Sequence, residues 1–382
     1  MCAIASRLAL DVPVLVLSGT SGSASAVPTV ASQPAVAEIK NWMPSKAALI
    51  KRAMAEILFV VRIFFKLLKK LRPGDVVLTV TAPFMLPYAV AAAAKLKRAR
   101  SALIMHDLYP DVLVMAGLLK PASIPAKAMR AANMLMFRAL NAVVIIGRDT
   151  EPLLLHYSGM TRDKIRFIPN WATLVPGVQP IRADSPYRPR NARFVVGLSG
   201  NLGFTHDHVI VFEAARLLRD NPNIHFLLSG WGIGFERLKE MQSEASLPNI
   251  TMVDRVEEKN LEELLAAANI WLIPYRKNVA GVSVPSRFYN LLAVGRPVLL
   301  VSEPDAEVAL TVIEHDVGWV VTPGCADELA RTINLAFLSE DPLRAERAAA
   351  VAQRFSLAGA MASYASLIRG LLQNPNQTRH IA

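Results

Sequence analysis

Strand-length apolar runs alternate with helix-length stretches along almost the whole chain, and that alternation restricts it to α/β architectures with parallel sheets. In the first half the pattern predicts strands at Val12–Leu17, Asp75–Val80, Ala102–Met105, Ala142–Ile146 and Ile165–Ile168. Helices are predicted at Ala47–Leu71, Met85–Lys97 and Ala126–Leu140, and the Ser/Ala/Thr/Gly/Pro-rich stretch 19–36 reads as a loop. Residues 172–192, with Pro176, Pro180, Pro186 and Pro189, read as an interdomain linker. The pattern then restarts, with strands at Phe194–Ser199, His225–Ser229, Ile270–Ile273 and Pro297–Val301. Its helices are His208–Arg219, Phe235–Ala245, Ser286–Val294, Ala326–Leu338, Pro342–Arg354 and Ala358–Leu371. At 382 residues there is room for two doubly wound domains, 1–175 and 190–355, with 356–382 a C-terminal helix expected to pack back on the first. Two such sheets enclose a cleft at their carboxyl ends, so residues that do chemistry are expected just after strands.

Charge divides at the same boundary. Residues 1–175 hold 22 Lys/Arg against 9 Asp/Glu, a net +13, whereas 176–382 carry a net −2. A basic half that is also apolar favours an anionic membrane surface over nucleic acid. The segment 50–72 concentrates this character. It carries Lys51, Arg52, Arg62, Lys66, Lys69, Lys70 and Arg72 with one acid, Glu56, around an apolar set that includes Phe59, Phe64 and Phe65. Cations at 62, 66, 69 and 70 recur at helical spacing, the pattern of a helix lying in a membrane interface. The same helix also fits a domain helix packed on its sheet with its cations solvated. There is no interleaved aromatic platform for nucleic acid. Cys2 and Cys325 provide neither a disulfide framework nor metal spacing, which fits a reducing, cytoplasmic compartment. Arg7 and Asp11 interrupt the start as a signal peptide, and no spanning helix is predicted.

Four segments could carry chemistry, three of them turns at predicted strand ends and one the approach to a helix. The first, Ser199-Gly200-Asn201-Leu202-Gly203-Phe204-Thr205-His206-Asp207, offers glycines at which backbone N–H groups can approach a phosphate. The second, Ser229-Gly230-Trp231-Gly232-Ile233-Gly234, alternates glycines in the same sense. In the third, Pro285 or Ser286 opens a helix whose first turn carries Arg287, a cation that opposes the helix dipole unless an anion lies near. The fourth, His106-Asp107-Leu108-Tyr109-Pro110-Asp111, groups a His, two acids and an aromatic suited to sugar binding and acid/base work. Each also has an ordinary reading: tight turns, Asp207 and Asp107 as helix caps, His106 in the core, Arg287 in solvent. No D-x-D triplet or His/Cys/acid set has metal spacing, so metal-independent chemistry without a cofactor is expected.

In order and spacing, these turns resemble glycosyltransferase family 4, of the two-domain GT-B fold, and its bacterial colanic-acid and O-antigen type members in particular. The resemblance rests on Ser199–Gly203 with His206-Asp207, Pro285-Ser286-Arg287, Tyr289, Ala293–Val298, His106–Asp111 and Pro169-Asn170-Trp171, and it runs from about residue 75 to 340. It implies a retaining hexosyltransferase that moves a sugar from a nucleotide sugar, usually a UDP-sugar. The acceptor would be lipid-linked, carried on a polyprenyl diphosphate, in surface polysaccharide (O-antigen or exopolysaccharide) synthesis. The expected location is the inner face of the plasma membrane, with the protein cytoplasmic and peripheral. The donor would contact Gly200, Asn201, Gly203, His206, Gly230, Gly232, Pro285, Ser286, Tyr289 and Asn290. His106, Asp107 and Arg287 would carry the reaction, with Tyr109, Asp111 and Asn170 on the acceptor side. Three departures stand out. The family's paired glutamates are Val282 and Asn290, the cation after the glycine turn is Phe204, and the first strand with its glycine loop is missing from the start. The departures leave room for a non-catalytic homologue that binds nucleotide or membrane. A sugar-nucleotide epimerase of the same fold is a further alternative.

Overall fold

A computed structural model describes residues 1–20, 33–42, 49–190, 192–339 and 341–373. Positions 21–32 of the expected loop, 47–48 of the expected first helix and 374–382 of the tail lie outside the described residues. In the first domain a short helix, α1 (Cys2–Leu8), precedes β1 (Leu15–Thr20) and β2 (Ala35–Lys40). Next come α2 (Leu49–Lys70), β3 (Val76–Val80), α3 (Leu86–Leu96) and β4 (Arg100–Met105). The domain continues through α4 (Asp111–Met115), α5 (Ile124–Ala139), β5 (Ala142–Ile145), α6 (Thr150–Leu155) and β6 (Ile165–Phe167).

Its strands form two parallel sheets, β1-β2 and β3-β4-β5-β6. Helix α2 spans both, with Phe59, Ile63 and Leu67 packed in one cluster with Leu17, Ile39 and Val77. Strand β2 falls partly in the expected loop 19–36. Its alternation of Val36, Glu38 and Lys40 with Ala37 and Ile39 is a period-two signal that the loop-like composition before it obscures.

The second domain begins with β7 (Phe194–Asn201), α7 (His208–Leu217), β8 (Ile224–Trp231), α8 (Ile233–Ala245) and β9 (Ile250–Val253). It continues with α9 (Leu261–Ala266), β10 (Ile270–Pro274), α10 (Arg287–Ala293), β11 (Val298–Val301), α11 (Glu307–His315), β12 (Gly318–Val321) and α12 (Ala326–Leu338). Last come α13 (Pro342–Arg354) and α14 (Leu357–Gln373). The six strands are parallel in the order β12-β11-β10-β7-β8-β9. Chain direction across the sheet therefore reverses between β7 and β10, the position where ligands enter such folds.

The central strands are near-continuous apolar runs because helices cover both faces. One face buries Trp271, Phe288, Tyr289 and Leu292; the other buries Phe226, Phe235, Ile210 and Leu329. Gly197, inside β7, leaves room for the Trp271 ring, which a Cβ there would meet at 2.6 Å. The indole N–H of Trp271 donates to the Leu265 carbonyl at 2.9 Å. Asp207 accepts from the N–H groups of Val209 and Ile210 and so starts α7.

By composition the stretch Pro342–Gln373 is long and apolar enough to cross a membrane, with mean hydropathy 1.3. Here it forms α13 and α14, which bury their apolar faces. Ala348 and Ala352 of α13 join the second-domain core, while Met361, Tyr364 and Ile368 of α14 pack with Ile4, Ile104 and Val144 of the first domain.

Candidate functional site

The loops after β7 and β10 meet at the reversal point. His206 pairs in a β-bridge with Tyr275, and the Asp207 N–H donates to the Pro274 carbonyl at 2.8 Å. Arg287, the first residue of α10, reaches back under this loop and donates to the Ser199 hydroxyl at 3.2 Å. The fit fixes Gly200, whose φ is +129°, because a Cβ there would collide with the Arg287 guanidinium. Gly230 is constrained in the same way by the Gly200 carbonyl, and Gly232, at φ +101°, by the Asn201 carboxamide. Gly203 has no such internal reason, since a Cβ there would meet only Asn201 Nδ2, at 3.7 Å. The side of Gly203 on which a Cβ would stand is open.

Arg287 is half-buried and forms no ion pair among the described residues. Burial, reinforced by the nearby charge of Arg255, pushes it down to about 10. Burial and the Arg287 charge also push the His206 imidazole down to about 4, and its Nδ1 lies 2.9 Å from the Thr205 hydroxyl. The site therefore holds a neutral histidine beside an unneutralised cation, an arrangement that attracts an anion.

The opposite wall is the turn after β4. The His106 N–H donates to the Thr81 hydroxyl at 3.4 Å. Burial lowers the His106 imidazole and raises the Asp107 carboxyl, and each partly offsets the other's shift. Asp107 acts across the cleft: burial first, then Asp149, Tyr289 and Asp107, hold the Tyr275 hydroxyl well above its usual range. Asp111 pairs with Arg130 at 3.1 Å. The buried Asn133 donates to the Tyr109 carbonyl at 2.6 Å and accepts from Tyr88 at 2.7 Å, which fixes the turn from behind.

Below the cleft the domains are joined by residues the sequence reading did not single out. The Asp149 carboxylate accepts from the N–H groups of Gly281 (2.8 Å) and Glu307 (2.9 Å). Arg148 pairs with Glu307 and Glu314, both at 2.9 Å. Gly281 opens the loop that leads to Arg287, so the junction also sets that loop.

Two expectations for the donor surface are corrected. Tyr289 is 2% exposed, stacked edge-on to Phe288 and Phe355, with its hydroxyl on the Asn170 backbone. The Asn290 oxygen accepts from the Thr173 and Leu174 N–H groups, and its amide donates to the Thr173 hydroxyl at 2.9 Å. Both residues fasten the linker to α10, and Asn170 belongs to the same junction. Pro285 and Ser286 remain at the mouth, and Ser286 makes no capping bond. Arg255 and Trp231 were also missed as a pair. Both stand at strand ends, but β9 is only four residues long and carries little strand signal.

Residues 183–354 match the family described as glycosyl transferases group 1. The chain is 28% identical over 334 residues to a Pseudomonas aeruginosa protein named "Probable glycosyltransferase WbjE", covering 86% of this chain and 82% of that protein. It is 26% identical over 277 residues to WcaI of Escherichia coli (strain K12), named for colanic acid biosynthesis, covering 70% and 67%. In fold it is similar to a sucrose-phosphate synthase from Thermosynechococcus elongatus, with TM-score 0.72, 16% identity and coverage of 97% and 91%. It is also similar to Anabaena Alr3699/HepE in complex with UDP, with TM-score 0.62, 18% identity and coverage of 89% and 87%. The two facing Rossmann-like domains are those of the GT-B fold, and the second of them is the part of the chain that matches the group 1 glycosyl transferase family.

Proposed function

We propose that the chain transfers a hexosyl group from a UDP-sugar to a lipid-linked acceptor in bacterial surface polysaccharide synthesis, with retention at the sugar carbon and without a metal ion. The observation that carries this reading is Arg287: a half-buried cation at the reversal point, against Gly200 and the Ser199 hydroxyl, without a carboxylate partner among the described residues. A diphosphate supplies the missing negative charge. As the bond between sugar and diphosphate breaks, charge builds on the departing oxygens, where a preplaced cation and backbone N–H groups stabilise it best. His106 and Asp107 face the sugar from the first domain, and Tyr109 lines the acceptor side. The complex of Alr3699/HepE with UDP and the colanic-acid name of WcaI agree with this reading.

The membrane part of the proposal rests on α2. Behind the face that packs on the sheets it turns Met54, Ile57, Leu58, Val61 and Phe65 outward, with Ile57 56% and Phe65 58% exposed. Their spacing puts them in one stripe, flanked by Lys51, Arg62, Lys66 and Lys69. An anionic bilayer at the inner face of the plasma membrane matches both the stripe and its cations. A non-catalytic nucleotide- or membrane-binding role is the second reading, favoured by Val282 and by an Asn290 committed to the linker.

Calorimetric titration with UDP and with uridine tests the donor site. Arg287→Ala should weaken UDP binding by roughly tenfold to a hundredfold, as for a lost charge-assisted contact, and leave uridine unchanged. Equal loss for both ligands argues against a phosphate role.

A further inference from the structure

A second arginine shares the Arg287 environment and makes no ion pair among the described residues. Arg255 follows β9, and its guanidinium lies 4.6 Å from the centroid of the Trp231 indole. The Arg287 guanidinium lies 5.4 Å from the same ring. We propose that Arg255 is a second phosphate-binding cation of the donor site, held on Trp231 beside Arg287 so that the pair grips a diphosphate. The inference rests on the reading of this cleft as a nucleotide-sugar site and adds to it a residue outside the glycine turns and the Arg287 loop.

Three observations support it. The backbone that carries Arg255 is fixed: the Ser229 hydroxyl donates to the Asp254 carbonyl at 3.1 Å. The adjacent carboxylate does not neutralise Arg255, because Asp254 pairs with Lys239 at 2.8 Å. Neither Arg255 nor Arg287 has an ion pair among the described residues, whereas Arg148, Arg344 and Arg347 elsewhere in the chain each hold carboxylates. Two like charges brought to one ring repel, and the indole face offsets little of that at an exposed position. An anion with charge on two phosphates relieves the repulsion, and guanidinium forks suit phosphate oxygens better than an ammonium does. The turn after β7, Leu202–Asp207, carries no Lys or Arg, so Arg255 supplies a second positive charge from a different strand.

The test is calorimetric titration of the full chain with UDP, UMP and uridine, for the wild type, Arg255→Ala, Arg255→Lys, Arg287→Ala and Trp231→Phe. Melting temperatures establish that each variant is folded. Arg255→Ala should weaken UDP at least tenfold, narrow the preference for UDP over UMP and leave uridine unchanged. Arg255→Lys should recover part of the loss, and Trp231→Phe, which keeps an aromatic face, should bind UDP closer to wild type than Arg255→Ala does. If Arg255→Ala binds UDP within about twofold of wild type while Arg287→Ala is impaired, the inference is overturned and the donor site stands. If Arg255→Ala weakens uridine as much as UDP, the residue serves the nucleoside and the inference is again overturned. If the wild type binds none of the three, the inference and the donor reading fall together.

Discussion

Chemistry was legible in this sequence before placement was. Arg287 was flagged by its position in a first helical turn, and its guanidinium does lie at the reversal point, on Ser199. Two and three residues further on, Tyr289 and Asn290 had equal claim by motif, yet the turn of α10 carries both inward. What decides Asn290 is Thr173, 117 positions away, which no local pattern exposes. Replacing Asn290 with Ala strands the Thr173 and Leu174 N–H groups and should destabilise the chain by about 1–3 kcal/mol in denaturant unfolding, with UDP affinity unchanged. His206 gives a pH prediction. Its folded imidazole is held down to about 4 from 6.5, so between those values the unfolded chain binds the extra proton. Stability contributed by neutral His206 is complete above about 6.5 and is lost as pH falls toward 4. His206→Gln should flatten the fall in melting temperature across that window, and an unchanged slope would rule out His206 as its source.

At the scale of elements, the strands expected at Ala142–Ile146, Ile165–Ile168 and Pro297–Val301 appear as β5, β6 and β11, short as these are, whereas β2, β9 and β12 were not legible. The helix expected at Ala47–Leu71 appears as α2, and the glycine after Val294 ends α10. Strands β9 and β12 have four residues each and draw their identity from neighbours already in the sheet. Helix α2 also shows the limit of a one-face reading. Its apolar residues serve two opposite faces, one against Ile39 and Val77 and one outward, while its cations flank the outward stripe. Ile57→Glu combined with Phe65→Glu should abolish flotation with phosphatidylglycerol vesicles and leave the melting temperature near wild type, because neither side chain is buried. Loss of flotation together with unfolding would instead make that stripe part of the core.

For the whole molecule, the two-domain division and the cleft followed from the alternation of strands and helices and from the proline-rich break, whereas the junction did not. Asp149, Arg148 and Glu307 lie in loops and helix ends without a motif, and only the folded chain brings Gly281 and Glu307 to one carboxylate. Asp149→Ala leaves two buried N–H groups without their acceptor. It should destabilise the chain by about 1–3 kcal/mol for each group and raise the radius of gyration measured by X-ray scattering as the domains part. The charge of the chain divides along the same junction. The net +13 of residues 1–175 belongs to the domain that carries α2, whereas the proposed phosphate site draws on two arginines of a domain whose net charge is close to zero. The central claim is sugar transfer in the cleft between them. Its most direct test is to incubate purified protein on anionic vesicles with UDP-sugars and a polyprenyl-diphosphate-linked acceptor, and to follow both labelled lipid product and released UDP. The account expects acceptor-dependent UDP release matched by lipid product, reduced at least a hundredfold in Arg287→Ala. Tight UDP binding with no product from any UDP-sugar would contradict it and leave a nucleotide-binding partner protein in its place.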